Sequence, residues 1–247
     1  NQNTYAICKY LNLNHNKTTI NTLPINYTYG MSIFNTFYFS EGKIIITKKK
    51  VFEKDFWKLM QKHKVNMFSG VPFIYEMLKK IKFHEKKLPY LKVLTQAGGK
   101  IDLEILRYFY NLSQKKNIKF FSMYGATEAT SRMSYLDPKF LKSKMGSIGK
   151  PIEGGKFILV DKKKKEIKKS NTPGELVYQG KNIYAGYANK NKDLEKIIKI
   201  KKLFTGDLAY KDNENFYFIS GRLKRIVKFF GINFNLDDIE YFLKKKN

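Results

Sequence analysis

The chain contains few of the residues that form cross-links or metal sites. Its single cysteine, Cys8, cannot close an internal disulfide; it fits a reducing compartment, and we expect a buried thiol. His15, His63 and His84 have no paired spacing and no C-x-x-C motif occurs, so a zinc site is not predicted. The G-x-S-x-G, G-x-G-x-x-G and Walker motifs are also absent, which argues against a serine nucleophile elbow, a Rossmann dinucleotide site and a Walker phosphate loop.

Long apolar runs are missing as well. The richest segment, MSIFNTFYF, is interrupted by Asn35 and Thr36, so no transmembrane segment is predicted. The start of the chain does not resemble a signal peptide, and we expect a cytoplasmic location. The 247 residues are 43% hydrophobic, which is enough for a sizeable core in one large domain or two smaller ones.

Arginine is scarce although the chain is strongly basic. The formal net charge is +27, yet arginine occurs only at positions 107, 132, 222 and 225. Lysines are spread over nearly every segment together with many Asn, Ile and Tyr residues, a usage typical of A/T-rich codons. A nucleic-acid-binding surface would concentrate arginine and aromatic residues on one element. No specific nucleic-acid partner is predicted, and weak nonspecific binding to polyanions remains a hypothesis.

Strands and helices alternate in the first part of the chain. Apolar runs predict a buried strand at 42–47 and further strands near 65–70, 91–96 and 118–124, while helical spacing predicts helices at 51–63, 71–81 and 103–116. Pro72 suits the first turn of the second of these helices, and Asp102 is a suitable N-cap for the last. This alternation predicts an α/β fold, with a parallel sheet connected by helical crossovers.

The character of the sequence changes after about Met145. Short strands separated by Gly, Pro, Asn and Lys turns predict a small antiparallel β-barrel-like unit. From Leu223 the chain becomes basic and then helical, as expected for the start of a small α+β C-terminal domain. The predicted division is therefore 1–145 for the α/β subdomain, 146–222 for the barrel-like subdomain, and 223–247 for a hinge with a truncated C-terminal domain. Because the chain begins with Asn and its last helix is short, we expect an internal fragment.

Two glycine-bearing loops follow successive predicted strands, QAGGK at 96–100 and MYGATE at 123–128. In open parallel sheets, ligands bind beyond the carboxyl ends of the strands. A hydroxyl and backbone N–H groups at such an end, as at Thr127, hold phosphate oxygens, and one carboxylate, Glu128, can hold Mg²⁺. The alternative is that Thr127 and Glu128 simply begin a helix, where both residue types are favoured.

Two further motifs follow downstream. Asp207, after Thr205 and Gly206, could accept hydrogen bonds from two ribose hydroxyls, or it could be an ordinary turn aspartate. The segment from Gly221 to Arg225, GRLKR, is either part of a site or a basic linker.

Taken together and in this order, the motifs resemble the adenylate-forming superfamily, which includes acyl-CoA synthetases and the adenylation domains of peptide synthetases. The counterparts in this chain are LPINYTYG, GVPFIYEML, LTQAGGK, MYGATEATSRMSYL, GSIGKP, GELVYQG followed by GYA, LFTGDLA and GRLKRIVKFFG, and they extend over essentially its whole length. YGxTE, TGD and GRxKxxxK form a strong joint signal, and the sequence between these motifs most resembles that of bacterial acyl-CoA synthetases.

The resemblance implies the nucleotide contacts. Thr127 would contact the AMP phosphate, Glu128 would ligate Mg²⁺, and Tyr124 would stack on adenine. Asp207, assisted by Arg222, would hold the ribose hydroxyls. The residues that the resemblance assigns to ATP are Gly98, Gly99, Lys100, Tyr124, Gly125, Thr127, Asp207 and Arg222.

The resemblance also implies a second step and its residues. An acyl-adenylate forms from a carboxylic acid and ATP with release of pyrophosphate, and a thiol of CoA or of a carrier protein's phosphopantetheine then takes the acyl group. Lys224 would be the hinge of the C-terminal domain, and Gly231 would lie in the loop that approaches the pantetheine. The residues implied to border the acyl pocket are Tyr27, Gly70, Val71 and Ala126.

The sequence departs from the family pattern in three ways. The Ser/Thr/Gly-rich phosphate loop and the late catalytic lysine of the family are not found in these residues, so we expect the fragment itself to be inactive and the full-length protein to be active. Tyr27 stands where many relatives have histidine, which affects the acyl pocket alone. The hypotheses are thus an acyl-CoA synthetase, an adenylation domain that loads a carrier protein, a polyanion-binding protein, and a noncatalytic relative.

Overall fold

The structure is a computed structural model that describes residues 1–195, 198–229, 232–236, 240 and 243. The helices are α1 (Gln2–Leu11), α2 (Thr28–Phe39), α3 (Lys54–Lys62), α4 (Pro72–Lys80) and α5 (Leu103–Lys116). The strands of the first half are β1 (Thr18–Asn21), β2 (Lys43–Ile46), β3 (Met67–Gly70), β4 (Val93–Gln96), β5 (Lys119–Tyr124), β6 (Ser134–Leu136) and β7 (Lys150–Pro151). Those of the second half are β8 (Gly155–Val160), β9 (Gly174–Gly180), β10 (Leu203–Lys211), β11 (Tyr217–Arg222), β12 (Ile226–Phe229) and β13 (Ile232–Asn235).

The strands of the first half form one sheet, sheet A, in the order β2-β1-β3-β4-β5-β6-β7. Strands β2, β1, β3, β4 and β5 are parallel to their neighbours, and β6 and β7 are added antiparallel at one end. The register pairs Gly70 with Gln96 and Gln96 with Ser122, so the chain leaves β3, β4 and β5 along the same edge of the sheet. The predicted α/β class is confirmed.

Helices cover both faces of sheet A. Successive side chains of a strand point to opposite faces, so Phe120 packs with α3, α4 and α5 while Phe121 packs with α1 and α2. The helices predicted from sequence, α3, α4 and α5, bury apolar residues against the sheet, as Leu106 and Phe109 of α5 illustrate; α1 and α2 were not predicted. Two hydrophobic layers therefore hold the sheet, and the loops at its carboxyl edge are left to form a site.

The helix starts follow from local chemistry. The Asp102 side chain caps α5, because its carboxylate accepts a hydrogen bond of 2.7 Å from the backbone N–H of Glu104. Pro72 occupies the first turn of α4, where its missing N–H leaves no intrahelical bond unmade. Both positions agree with the sequence prediction. None of the described helices is long and apolar enough to cross a membrane.

Two sequence predictions are wrong in detail. The strand predicted to be buried at 42–47 is β2, which pairs with β1 alone and lies at the edge of sheet A, so Ile46 is 57% exposed. Its apolar composition predicted the strand correctly, but burial depends on a second neighbour that sequence does not show. The helix predicted to begin at Val51 begins at Lys54, and Phe52 lies exposed in the preceding turn.

The second half forms sheet B, a four-stranded antiparallel sheet in the order β11-β10-β9-β8 within the described residues. It packs on the loop that follows β5: Ala129 and Met133 of that loop share a buried cluster with Phe157, Leu176 and Tyr178 of sheet B. The antiparallel character predicted for the second half is thus confirmed, although β7, which lies inside the predicted 146–222 unit, belongs to sheet A. Strands β12 and β13 pair antiparallel with each other, and Gly231 lies outside the described residues.

Candidate functional site

A backbone hydrogen bond closes the loop that follows β5. The backbone N–H of Met133 donates to the carbonyl of Tyr124 at 2.8 Å, and a three-residue 3-10 turn, Thr127–Ala129, lies between them. The carbonyl of Ser131 packs directly on Gly125, since a Cβ there would lie 1.7 Å from that oxygen. Glycine is therefore required at this position by the close approach of the backbone. Thr127 and Glu128 do begin a helical turn, as the alternative interpretation expected, but it is only one turn long.

Asp207 lies where sheet B meets this loop. Its side chain is buried, and both carboxylate oxygens accept hydrogen bonds: Oδ2 from the Tyr124 hydroxyl at 2.5 Å and Oδ1 from Nε of Arg222 at 2.8 Å. Arg222 is the direct cross-strand partner of Asp207 in the β10–β11 register. Gly206 precedes it with a φ of 72°, a left-handed conformation that favours glycine. Three residues chosen from separate motifs thus form one hydrogen-bonded group.

The Tyr124 phenol is held as a hydrogen-bond donor. Burial, followed by the negative charge of Asp207 and the hydrogen bond to it, raises the pKa of Tyr124 well above its usual value. The phenol is therefore protonated at neutral pH, and it fixes the orientation of the Asp207 carboxylate. Arg222 is mostly exposed, so its guanidinium completes the group from the solvent side.

Thr127 and Glu128 each have a side-chain partner that sequence reasoning missed. The hydroxyl of Thr127 lies 3.0 Å from that of Thr28, in the first turn of α2. The Glu128 carboxylate accepts a hydrogen bond from the hydroxyl of Tyr187, and this bond is the main reason that the pKa of Tyr187 rises to about 12. The backbone N–H of Tyr184 donates to the carbonyl of Glu128 at 2.8 Å. Thr28 lies inside the LPINYTYG motif and Tyr187 inside the GYA motif at 186–188, but neither motif indicated these contacts.

The loop after β4 meets the predicted acyl-pocket residues. Gly98 has a φ of 84°, and a Cβ at this position would lie 2.4 Å from the Tyr27 hydroxyl oxygen and 3.2 Å from Cγ1 of Val71. Gly70, the last residue of β3, directly precedes Val71, and Ala126 is extended before the 3-10 turn. Tyr27, Val71 and Gly98 are thus in one place, although the sequence analysis divided them between two pockets.

The remaining predicted site residues, Gly99, Lys100 and Lys224, are exposed to solvent. Gly99 and Lys100 are exposed in the loop after β4. Lys224 is exposed in a short 3-10 turn, Leu223–Arg225, immediately after Arg222. This turn connects sheet B to β12.

The residues present fit a magnesium–nucleotide better than a metal ion alone. Among the described residues, no group of three or more His, Cys, Asp or Glu side chains is placed to hold a metal. Glu128 offers a single carboxylate, and the residue before it, Thr127, offers a hydroxyl. Mg²⁺ is commonly bound by one or two carboxylates together with substrate phosphates and water, and this donor set matches that pattern.

Comparison with known proteins gives one family and a consistent set of relatives. The model of a family described as "AMP-binding enzyme" matches residues 1–188. The long-chain-fatty-acid–CoA ligase of Bacillus subtilis (strain 168) is 26% identical over 219 residues, which cover 88% of this chain and 38% of the relative. The 2-succinylbenzoate–CoA ligase of Bacillus pumilus (strain SAFR-032) is 28% identical over 220 residues, which cover 88% and 43%. The chain therefore spans less than half the length of these curated relatives.

Solved structures share the fold. O-succinylbenzoate coenzyme A synthetase from Bacillus subtilis, in complex with ATP and magnesium ion, matches with a TM-score of 0.83 at 23% identity, over 98% of this chain and 49% of that one. McyG A-PCP, complexed with phenylalanyl-adenylate, matches with a TM-score of 0.78 at 21% identity, over 99% and 40%. At such identities the likeness shows the fold alone.

Proposed function

Because the chain belongs to the AMP-binding enzyme family, we propose that the protein activates a carboxylic acid with ATP and transfers the acyl group to a thiol. The observation that carries this proposal is the hydrogen-bonded group formed by Tyr124, Asp207 and Arg222, in which Asp207 is buried and Arg222 reaches it from the solvent side, next to the Thr127–Glu128 turn. The carboxylate of Asp207 is suited to bind ribose, and the hydroxyl of Thr127 and the carboxylate of Glu128 are suited to bind a magnesium–phosphate group. Tyr124 and the turn lie at the carboxyl edge of a parallel sheet, where ligands bind in such folds.

In the first step, a carboxylate oxygen of the acid attacks the α-phosphorus of ATP, and the bond from that phosphorus to the bridging oxygen of pyrophosphate breaks. The products are an acyl-adenylate and pyrophosphate. In the second step, the thiol sulfur attacks the acyl carbonyl, AMP leaves, and the thiol proton is released. Such chemistry depends on positioning and on stabilisation of negative charge at phosphorus.

Asp207 has the capacity to hold the ribose. A carboxylate has about four acceptor positions, and only two of those of Asp207 are used, by Tyr124 and Arg222. The remaining positions would accept the two vicinal ribose hydroxyls. The Tyr124 ring would lie against adenine, with Gly98, Gly99 and Lys100 lining that pocket.

The Thr127 hydroxyl would donate to the α-phosphate, and Gly125 would let the backbone approach it closely. The Glu128 carboxylate would ligate Mg²⁺, which when bound supplies positive charge against the phosphate oxygens. Oε1 of Glu128 now accepts a hydrogen bond from Tyr187, so a metal ion that used this oxygen would compete with that hydroxyl. Lys224 would act as the hinge of a C-terminal domain that begins near residue 223, and Gly231 would approach the thiol.

The acceptor thiol is proposed to be that of CoA. The fatty-acid and 2-succinylbenzoate relatives are both CoA ligases by name, which favours CoA over a carrier-protein phosphopantetheine. The acids in those names differ from each other, so neither is transferred to this protein. Tyr27, Gly70, Val71 and Ala126 would border the acyl group.

The proposal is tested by carboxylate-dependent exchange of labelled pyrophosphate into ATP, measured on the full-length protein over a panel of acids. Label should enter ATP only when a suitable acid is present. A folded protein that supports no exchange with any acid would overturn the proposal. Thioester formation with CoA, or with a phosphopantetheinylated carrier protein instead, then identifies the acceptor.

A further inference from the structure

The turn that carries Thr127 and Glu128 ends in strained backbone. Thr130 and Ser131 follow it with φ angles of 55° and 83°, a left-handed conformation that residues other than glycine rarely adopt, and Thr130 is β-branched. The Thr130 hydroxyl donates to the carbonyl of Ala129 at 2.8 Å, a bond that lies within the loop itself. Backbone strain of this kind costs free energy and persists only where the surrounding structure holds it. The turn therefore needs contacts from outside the loop.

Two such contacts come from the segment that follows β9. Nδ2 of Asn182 donates a hydrogen bond of 2.8 Å to the carbonyl of Ala129, the last residue of the turn. The backbone N–H of Tyr184 donates to the carbonyl of Glu128, also at 2.8 Å. Two successive carbonyls of the turn are thus fastened to one short segment. This segment holds the turn one and two residues beyond Thr127.

The orientation of the Asn182 amide is set by Tyr178 of sheet B. A carbonyl oxygen can only accept, so the amide nitrogen of Asn182 must face Ala129 and the amide oxygen is left for another donor. That oxygen, Oδ1, accepts a hydrogen bond of 2.8 Å from the Tyr178 hydroxyl. Tyr178 is fully buried on β9, and burial raises the pKa of its phenol to about 12, so the hydroxyl keeps the proton that it donates.

Gly180 leaves room for the bond between Tyr178 and Asn182. A Cβ at this position would lie 2.6 Å from Oδ1 of Asn182 and 2.7 Å from the Tyr178 hydroxyl oxygen. Any larger residue would displace one of the two groups. The backbone of Gly180 is not left-handed, so this close approach, and not the backbone conformation, requires glycine.

We propose that Asn182 is a positioning residue for phosphate binding: oriented by Tyr178, it holds the Thr127–Ala129 turn in the conformation that presents the Thr127 hydroxyl to the α-phosphate. This rests on the proposed function, which places the α-phosphate at Thr127. Asn182 acts through the backbone of the turn. Its loss lets the strained turn relax and weakens contacts with phosphate, whereas contacts with ribose at Asp207 are kept.

The test compares AMP with adenosine, which lacks only the phosphate, by isothermal titration calorimetry on the full-length protein. The wild type should bind AMP more tightly than adenosine. Asn182→Leu has a similarly branched side chain without the donor. It should bind AMP about tenfold more weakly than the wild type, because hydrogen bonds to a charged phosphate are lost, and should bind adenosine as the wild type does. The matched control is Asn189→Leu, the same change at an exposed asparagine, which should keep both affinities.

Tyr178→Phe tests the second link, because it removes the hydroxyl that orients Asn182. We expect it to weaken AMP binding about two- to fivefold, the effect of one neutral hydrogen bond. Added to Asn182→Leu, it should weaken AMP binding no further, since both changes act through the same contact with Ala129. Circular dichroism spectra establish that each variant is folded, and if Asn182→Leu does not fold, Tyr178→Phe alone decides.

Unchanged AMP affinity in folded Asn182→Leu or Tyr178→Phe would overturn the inference, as would equal losses for AMP and adenosine, the pattern of a purely structural role. A wild type that binds AMP no more tightly than adenosine would also overturn it. Pyrophosphate exchange by the wild type would leave the proposed function standing in each of these cases, so the two failures are distinguishable.

Discussion

The hydroxyl of Tyr124 donates a 2.5 Å hydrogen bond to Oδ2 of Asp207, a residue 83 positions further along the chain. Tyr124 ends β5 of the parallel sheet, and Asp207 lies on β10 of the antiparallel sheet. The bond therefore joins the two sheets at the place where the proposed nucleotide would lie. Because Arg222 binds the other carboxylate oxygen, the orientation of Asp207 is set before any ligand arrives.

Removing the hydroxyl of Tyr187 should make magnesium bind more readily. The wild-type hydroxyl donates to Glu128, the proposed metal ligand, so Tyr187→Phe frees that carboxylate. We expect the Mg²⁺ concentration for half-maximal pyrophosphate exchange to fall about two- to fivefold. Tyr184→Phe is the matched control, because Tyr184 contacts Glu128 through its backbone N–H. An unchanged or higher Mg²⁺ requirement in Tyr187→Phe would contradict the proposed competition.

A methyl group at Gly125 should disrupt the phosphate loop. The Cβ of Gly125→Ala would lie 1.7 Å from the Ser131 carbonyl oxygen, so the loop backbone must shift. We expect the free energy of unfolding, measured by denaturant titration, to fall by about 1–3 kcal/mol or more. Gly99→Ala, whose Cβ would meet Pro72 at 3.3 Å, should change stability much less. Equal stabilities of the two variants would show that the loop tolerates the shift.

The ion pair of Lys144 with Asp212 should make stability depend on pH in the acid range. Burial opposes ionisation of Asp212, but hydrogen bonds from Lys144 and from the backbone N–H groups of Phe216 and Glu214 outweigh it and lower the pKa of Asp212. A carboxyl whose folded pKa is lowered stabilises the protein above its unfolded pKa of about 3.9, and that contribution is lost as pH falls through the folded value.

Asp212→Asn should therefore lower the unfolding temperature at pH 7, and its difference from wild type should shrink from about pH 5 to about pH 3. The control is Glu41→Gln, an exposed acidic residue, which should differ little from wild type at any pH. A difference for Asp212→Asn that stays constant down to pH 3 would show that the carboxylate charge does not contribute.

Much of the fold was predictable because its signals are local. Apolar periodicity located α3, α4 and α5, and the capping aspartate Asp102 and the proline Pro72 marked two of their starts, whereas α1 and α2 were not predicted. The two glycine loops were expected at the carboxyl edge of the sheet, and the β3–β4–β5 register places them there. Edge position was not predictable: the composition of β2 matches that of a central strand, and only pairing with β1 alone reveals its exposure.

The contacts within the site were less predictable, because they join distant segments. YGxTE, TGD and GRxK identified Tyr124, Asp207 and Arg222 as separate motifs, but their mutual hydrogen bonds depend on how sheet B packs against sheet A. Tyr187 lies in the GYA motif at 186–188 and Arg132 in MYGATEATSRMSYL, but the sequence assigned neither a role, because the contact of Tyr187 with Glu128 and the burial of Arg132 are visible only in the folded chain.

The most direct test of the account is the affinity of the full-length protein for ATP in the wild type and in Asp207→Ala, measured by isothermal titration calorimetry. Loss of charge-assisted hydrogen bonds to the ribose predicts a Kd about tenfold or more weaker, with an unchanged circular dichroism spectrum. Asp55→Ala, which changes an exposed residue of α3, should retain the wild-type Kd. Equal ATP affinity in the wild type and Asp207→Ala would contradict the central claim that this carboxylate holds the nucleotide.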